Sequence, residues 1–123
     1  MRLQKILLIL LLSFFSQITL AQNNIVGMCL AYIQKEIQAK GGRNNIDAKY
    51  QRYMTKNQAS IDTVVGTLNK YPKCFDSSVM IENCLKSNNV NPKTIELVLS
   101  FNTGVTNYKD PSFRANASLA CTE

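Results

Sequence analysis

Four cysteines and the absence of histidine define the chemistry open to this chain of 123 residues. The cysteines are Cys29, Cys74, Cys84 and Cys121, and none of them forms the C-x-x-C pair of zinc ribbons and thioredoxin-like redox sites. We therefore expect no metal site, no redox catalysis and no bound cofactor. An even number of cysteines in a small exported chain is typical of structural disulfides. The sequence predicts two disulfides and leaves all three pairings open.

The lack of histidine also removes the common enzymatic nucleophile pairs, Ser-His and Cys-His. A pair of carboxylates is the remaining acid–base arrangement. The chain has eight acidic residues, and their spacing does not indicate such a pair. We interpret them as helix caps and solvated helix surfaces, so the sequence predicts a protein that is not an enzyme. The acidic residues are Glu36, Asp47, Asp62, Asp76, Glu82, Glu96, Asp110 and Glu123.

Two surface features are candidate sites. Lys49, Arg52 and Lys56 recur at steps of three and four residues, which places them on one side of a predicted helix. This side is a candidate anion-binding face, although we favour a solvated helix surface, and three charges are too few to predict a nucleic-acid partner. Asn116 begins an Asn-Ala-Ser sequon, a candidate glycosylation site if the source is eukaryotic.

The first 21 residues have the layout of a secretory signal peptide. Arg2 and Lys5 precede an apolar run over residues 6–15, and small or polar residues follow up to a cleavage site before Gln22. The apolar run is about half as long as the roughly 20 residues that a membrane-spanning helix needs. We expect a mature chain over residues 22–123 without a membrane span, secreted by a eukaryotic cell or periplasmic in a bacterium.

The mature chain is predicted to form one domain. It contains no repeat, no low-complexity tract and no Pro/Gly/Ser linker, and its length suits a single modest core. Loss of Arg2 and Lys5 with the leader lowers the formal net charge from +6 to +4. This charge is ordinary for a soluble protein. It is concentrated in residues 35–73, whereas the remainder is nearly neutral.

Apolar residues at helical spacing predict two main helices in the first half of the domain. The first covers about Ile25 to Lys40 and ends at Gly41-Gly42. The second, from about Asp47 to Tyr71, is the longest and ends before Pro72. Its apolar seam is interrupted at Asn57, as in a coiled coil with a polar register residue. We favour packing of this seam within the domain over a coiled-coil partner.

Shorter helices are expected in the second half. Asp76 or Ser77 is predicted to cap a brief third helix that has Met80 on its apolar face. Asp110-Pro111 is predicted to open a fifth helix that ends near Cys121.

The fourth element is ambiguous in the sequence. Asn91-Pro92 has the cap-then-proline arrangement of a helix start, and Gly104 is the predicted terminator. Residues 94–101 also alternate with a period of two, so a strand is the alternative for this stretch.

These patterns predict an all-α bundle of four to five helices held by two disulfides. For function, they favour a secreted, non-enzymatic binding or effector protein that recognises an unknown extracellular protein, in defence, reproductive or other secretory fluids. One alternative is a carrier of a small lipophilic ligand in a helical cavity. Another is a periplasmic inhibitor or immunity protein, if the source is bacterial. The residues that would line the carrier's cavity are Tyr32, Tyr50, Tyr53, Met54, Met80 and Phe101.

Overall fold

A computed structural model describes residues 25–76 and 78–122 of the chain, which fold into helices joined by short turns. Residues 43–45 and 72–75 form 3₁₀ turns, and no strand occurs in the described ranges. The all-α class is therefore confirmed, and the strand alternative for residues 94–101 is wrong. The predicted leader lies outside the described residues. The helices are α1 (residues 25–40), α2 (Ala48–Lys56), α3 (Gln58–Lys70), α4 (Ile81–Ser87), α5 (Pro92–Asn107) and α6 (Pro111–Ala120).

Side-chain caps start α5 and α6 where the sequence predicts them. The Asn91 side chain accepts a hydrogen bond from the backbone N–H of Lys93 at 2.8 Å, and Asp110 accepts one from Ser112 at 3.0 Å. A proline follows each cap as the first helical residue, where its missing N–H costs nothing. Both predicted helix starts are confirmed.

Left-handed residues end α1 and α4. Gly41 has a φ of +82°, and the N–H of Gly42 donates to the carbonyl of Ile37 at 3.0 Å, as in a Schellman motif. After α4, Asn89 takes a φ of +58° and the N–H of Val90 donates to Leu85 in the same way, at 3.1 Å. The predicted end of α1 at Gly41-Gly42 is confirmed, and both helices end at residue types that tolerate this conformation best.

The predicted long helix is divided in two at Asn57. This residue ends α2 and precedes α3, with φ −108° and ψ 27°, and its side-chain amide donates to the carbonyl of Tyr53 at 2.8 Å. The prediction of one uninterrupted helix was therefore wrong. The same carbonyl also accepts the backbone N–H of Asn57 at 3.1 Å, so the side-chain amide adds a second hydrogen bond at the end of α2.

Two further boundaries differ from the prediction. Gly104 lies inside α5 instead of ending it. Asp76 accepts hydrogen bonds from the backbone and hydroxyl of Ser78, both at 3.1 Å, and so closes a turn instead of capping α4. Met80 precedes α4 and is 70% exposed, so it does not belong to the apolar face of that helix.

The core consists of two clusters of buried side chains. The first cluster joins α1, α2 and α6, with Ile33 completely buried in α1. The second joins α3, α4 and α5 around Leu85 and Val98. Val26 and Phe101 pack against both clusters and connect them.

Helices α1 and α5 cross at close range because small residues meet there. A Cβ atom on Gly104 would lie 2.7 Å from the Cβ of Ala31 and 3.0 Å from the carbonyl oxygen of Met28. A Cβ atom on Gly27 would lie 2.8 Å from the carbonyl oxygen of Leu97 and still closer to the hydroxyl of Ser100. The two glycines therefore allow the two backbones to approach each other.

The two predicted disulfides are confirmed, and the structure gives their pairing. Cys29 of α1 is bonded to Cys121, which follows α6, across a sequence separation of 92. Cys74 is bonded to Cys84 of α4 across a separation of 10. The first bond fixes the last helix to the first. The second holds the 3₁₀ turn of residues 72–75 against α4.

None of the helices in the described ranges has the length and apolarity needed to cross a bilayer.

Candidate binding groove

An apolar groove of about 260 Å³ lies between α1, α3 and α5. Leu30, Met54 and Val64 are buried and form its floor. Its remaining lining consists of half-buried side chains on the walls and exposed side chains at the rim. The wall residues are Ile61, Leu68 and Phe101, and the rim residues are Gln34 and Val65.

The groove forms where the two halves of the core meet. Leu30 and Met54 belong to the first cluster, Val64 belongs to the second, and Phe101 packs against both. Asn57 ends α2 directly after the turn that carries Met54, and α3 then supplies four lining residues of the groove. The groove is therefore an apolar space, open to solvent, where residues of the two clusters meet.

The rim of the groove carries one polar side chain among its lining residues, that of Gln34. Gln34 follows Leu30 by four residues on α1, so the two side chains lie one above the other on the same face. Its amide makes no hydrogen bond within the described ranges. On the opposite side of the mouth, Val65 is 48% exposed.

A cluster of tyrosines lies behind the groove, on the other side of α1. The ring of Tyr32 is 5.7 Å from that of Tyr50 and 6.1 Å from that of Tyr108. The hydroxyl of Tyr108 donates to the Glu36 carboxylate at 2.9 Å, and the Nζ of Lys40 is 3.6 Å from the same carboxylate. The cluster joins α1 to α2 and to the end of α5.

Three tyrosines of the first core cluster or its edge, Tyr32, Tyr53 and Tyr108, have a raised pKa. Burial raises the pKa of Tyr32 well above its ordinary value, and a hydrogen bond to Tyr50 raises it further. Burial also raises the pKa of Tyr53 and, together with the hydrogen bond to Glu36, that of Tyr108. These shifts are opposite to the one that activates a nucleophilic tyrosine.

The predicted anion-binding face lies on α2, with Arg52 and Lys56 exposed. The Nζ of Lys49 lies 5.0 Å from the centre of the Tyr50 ring, in a cation–π contact. The structure adds Arg43, whose guanidinium donates to the hydroxyl of Thr55 on the same helix at 3.5 Å. Sequence spacing missed Arg43 because it lies in the turn before α2. Anion binding by this face stays a prediction.

The candidate glycosylation site Asn116 is exposed on α6. The hydroxyl of Ser118, the third residue of the sequon, donates to the carbonyl of Ala115 at 2.8 Å. Asn116 borders a shallow apolar depression that includes Met28 and Phe113. Glycosylation here stays a prediction, and a glycan would cover this depression and leave the groove open.

Within the described residues no group of three or more His, Cys, Asp or Glu side chains is arranged to hold a metal ion. Glu36 contacts Tyr108 and Lys40, Glu82 pairs with Lys86 at 3.0 Å, and Asp110 caps α6.

The structure separates the residues that the sequence assigned to a lipophilic cavity. Met54 and Phe101 line the groove, as predicted. Tyr32, Tyr50 and Tyr53 are buried in the first core cluster instead, and exposed Met80 lies elsewhere. The sequence-based prediction of the cavity did not include four lining residues of α3 and two of α1. Both sets recur at steps of three and four residues, so each lies on one side of its helix. Those residues are Ile61, Val64, Val65, Leu68, Leu30 and Gln34.

Comparison of the chain with protein-family models, with curated proteins and with solved structures finds no match.

Proposed function

We propose that this protein is a secreted, non-enzymatic binding protein and that the apolar groove is its ligand site. The groove itself carries the proposal, because an apolar space open to solvent, with buried side chains as its floor, is the usual form of a ligand site. The predicted leader and the two disulfides support a role outside the cell. In a bacterium the same features support a periplasmic role, as in an inhibitor or immunity protein.

The shape of the groove favours a small apolar ligand, or one apolar group of a larger partner, over a broad protein interface. A stable protein–protein interface takes about 20–30 residues on each partner, whereas eight described residues line the groove. Recognition of an extracellular protein, which the sequence favours, remains the second candidate. In that case an apolar side chain of the partner occupies the groove.

Propylbenzene is a suitable first probe for this site. Titrated into the secreted protein, it is expected to shift the amide NMR signals of the groove residues with a Kd of about 1 mM or tighter. Val65→Glu at the rim removes about 40 Å² of apolar contact and is expected to weaken binding about fivefold. Val79→Glu is the matched control, because Val79 is similarly exposed, at 39%, and does not line the groove.

Two results would contradict the proposal. One is the absence of shifts at groove residues up to the solubility limit of propylbenzene. The other is an equal loss of affinity in both valine variants. Turnover of a substrate by the pure protein that disappears in a carboxylate variant would contradict its non-enzymatic part.

A further inference from the structure

The volume of the groove limits the size of the ligand. A protein cavity of about 150 Å³ holds a benzene molecule, which has six non-hydrogen atoms. The groove, at about 260 Å³, therefore holds about ten. A long acyl chain, a sterol or a peptide segment would extend beyond the groove into solvent, so the groove can enclose only part of it.

The lining of the groove also limits the charge of the ligand. Eight of the described residues line it, and none of these is acidic or basic: seven are apolar and the eighth is Gln34. A carboxylate or an ammonium group taken into this space would lose its hydration without gaining an opposite charge. The lining therefore favours a neutral ligand.

Gln34 is the lining residue that can form a hydrogen bond with a neutral ligand. Its amide offers both a carbonyl acceptor and an N–H donor at the mouth of the groove, and neither is used within the described ranges. A hydroxyl or carbonyl group on the ligand can bond to this amide while the apolar body lies on Leu30 and Val64.

We infer that the groove selects compact neutral amphiphiles of about ten non-hydrogen atoms, whose single hydroxyl or carbonyl group bonds to Gln34. This inference rests on the proposed function and names the ligand class of the same site. Gln34 acts as the specificity residue, whereas the apolar floor supplies most of the affinity.

The test compares two aromatic ligands of equal size, phenylethanol and propylbenzene, in the secreted protein and its Gln34→Leu variant. The substitution is expected to weaken phenylethanol binding about three- to tenfold, the effect of one neutral hydrogen bond. Propylbenzene is expected to bind the variant as well as before or slightly better. Because each ligand is compared with itself across the two proteins, differences in ligand hydration cancel. Amide NMR titration measures all four Kd values.

Gln38→Leu is the matched control variant. Gln38 is also an exposed glutamine of α1, one turn further on, and it does not line the groove. It is expected to change neither Kd. Phenylacetate, nearly equal in size and negatively charged, is expected to bind the unsubstituted protein more weakly than phenylethanol does. Both substitutions are on the surface, and the amide spectra check that each variant is folded.

The outcomes separate this inference from the proposed function. If Gln34→Leu changes the Kd of both aromatic ligands by the same factor, the inferred ligand class is wrong, but the groove remains a binding site. The same conclusion follows if phenylacetate has the lowest Kd of the three ligands. If neither ligand shifts the groove residues of the unsubstituted protein, both proposals fail. If the same amides shift with protein concentration alone, a second copy covers the groove and the ligand class is again wrong.

Discussion

The tyrosine cluster shows how single side chains hold this small domain together. Tyr32 contacts the rings of Tyr50 and Tyr108, so one residue of α1 touches both α2 and the residue that ends α5. The hydroxyl of Tyr50 donates to the carbonyl of Ser118 on α6 at 3.4 Å. Large aromatic side chains contribute more buried area than any other residue type. The cluster is therefore a main contact between the first half of the chain and the last helix.

Ionisation of Tyr32 is expected to destabilise the protein at alkaline pH. Because burial raises the pKa of Tyr32 in the folded state, the folded protein holds this proton more tightly than the unfolded chain does. The resulting stability is fully present below the unfolded tyrosine pKa of about 10, and it decreases as the pH rises above that value. The decrease is up to about 1.4 kcal/mol per pH unit for each such tyrosine.

Tyr32→Phe is expected to make this alkaline decrease shallower, although it also lowers stability at neutral pH through the lost hydrogen bond. Urea unfolding at several pH values between 8 and about 11.5 measures the slope. Tyr71→Phe, which removes a half-buried tyrosine outside the cluster, is the control and keeps the steep slope. Identical slopes in the original protein and in Tyr32→Phe would show that this tyrosine does not cause the decrease.

At the scale of helices, the sequence predicts the boundaries that local side chains control. Asn91 and Asp110 bond to backbone groups two residues ahead, and Gly41 adopts a left-handed conformation, so nearby residues are sufficient to locate these ends. The continuation of α5 through Gly104 accompanies its close contact with α1, whereas the break at Asn57 is stabilised locally by the asparagine amide. The spacing of apolar residues along one helix does not show which other helix contacts it. The predictions of one long helix and of a helix end at Gly104 were both wrong.

The crossing of α1 and α5 contains a signal that spacing alone could have revealed. Gly27 and Ala31 are four residues apart on α1, and Ser100 and Gly104 are four apart on α5. Small residues at this step form a flat strip on each helix, and the two strips face each other in the structure. A glycine inside a predicted helix is therefore as consistent with a close helix crossing as with a helix end.

Two glycine-to-alanine substitutions test this crossing. Gly104→Ala is expected to destabilise the protein by about 1–3 kcal/mol, because the new methyl group overlaps Ala31 and the α1 backbone. Gly66→Ala is the matched control within α3, where a Cβ atom would meet nothing within 4 Å. It is expected to stabilise the protein by about 0.5–1 kcal/mol, since alanine is the better helix former.

Thermal unfolding separates these two effects, because 1 kcal/mol shifts the Tm of a domain this size by about 4–8 °C. We expect shifts of opposite sign. A rise in Tm for both variants would mean that α1 and α5 are not in close contact at Gly104.

At the scale of the whole molecule, the groove is the feature that the sequence could not locate. Its lining comes from four helices, and its floor combines residues of both core clusters. The amphipathic pattern of each helix marks an apolar face but does not say whether neighbouring helices cover it. Met54 and Phe101 were identified for their residue types, whereas Val65 and Gln34 become recognisable once α1 and α3 are placed beside each other.

The two disulfides constrain the molecule to very different extents. Cys29–Cys121 spans 92 residues and joins the first helix to the end of the domain, whereas Cys74–Cys84 spans 10 residues. In the chain-entropy description, the longer loop contributes about 4–5 kcal/mol and the shorter about 2.5–3 kcal/mol. Replacing Cys29 and Cys121 with alanine is therefore expected to lower the free energy of unfolding by about 2 kcal/mol more than replacing Cys74 and Cys84 does. Guanidinium unfolding of the two double variants measures the difference.

Loop entropy and core packing can be distinguished in this comparison. Cys29, Cys121 and Cys74 are almost completely buried, whereas Cys84 is partly buried. The two variants therefore differ in lost packing only by the exposure of Cys84, and the rest of their difference reports on loop length. Reduction of the original protein, which breaks both bonds without removing sulfur atoms, supplies an independent value for the sum. If the short loop proves as stabilising as the long one, the bonds act through local packing. The Cys29–Cys121 bond would then be a helix contact and not the closure of the whole domain.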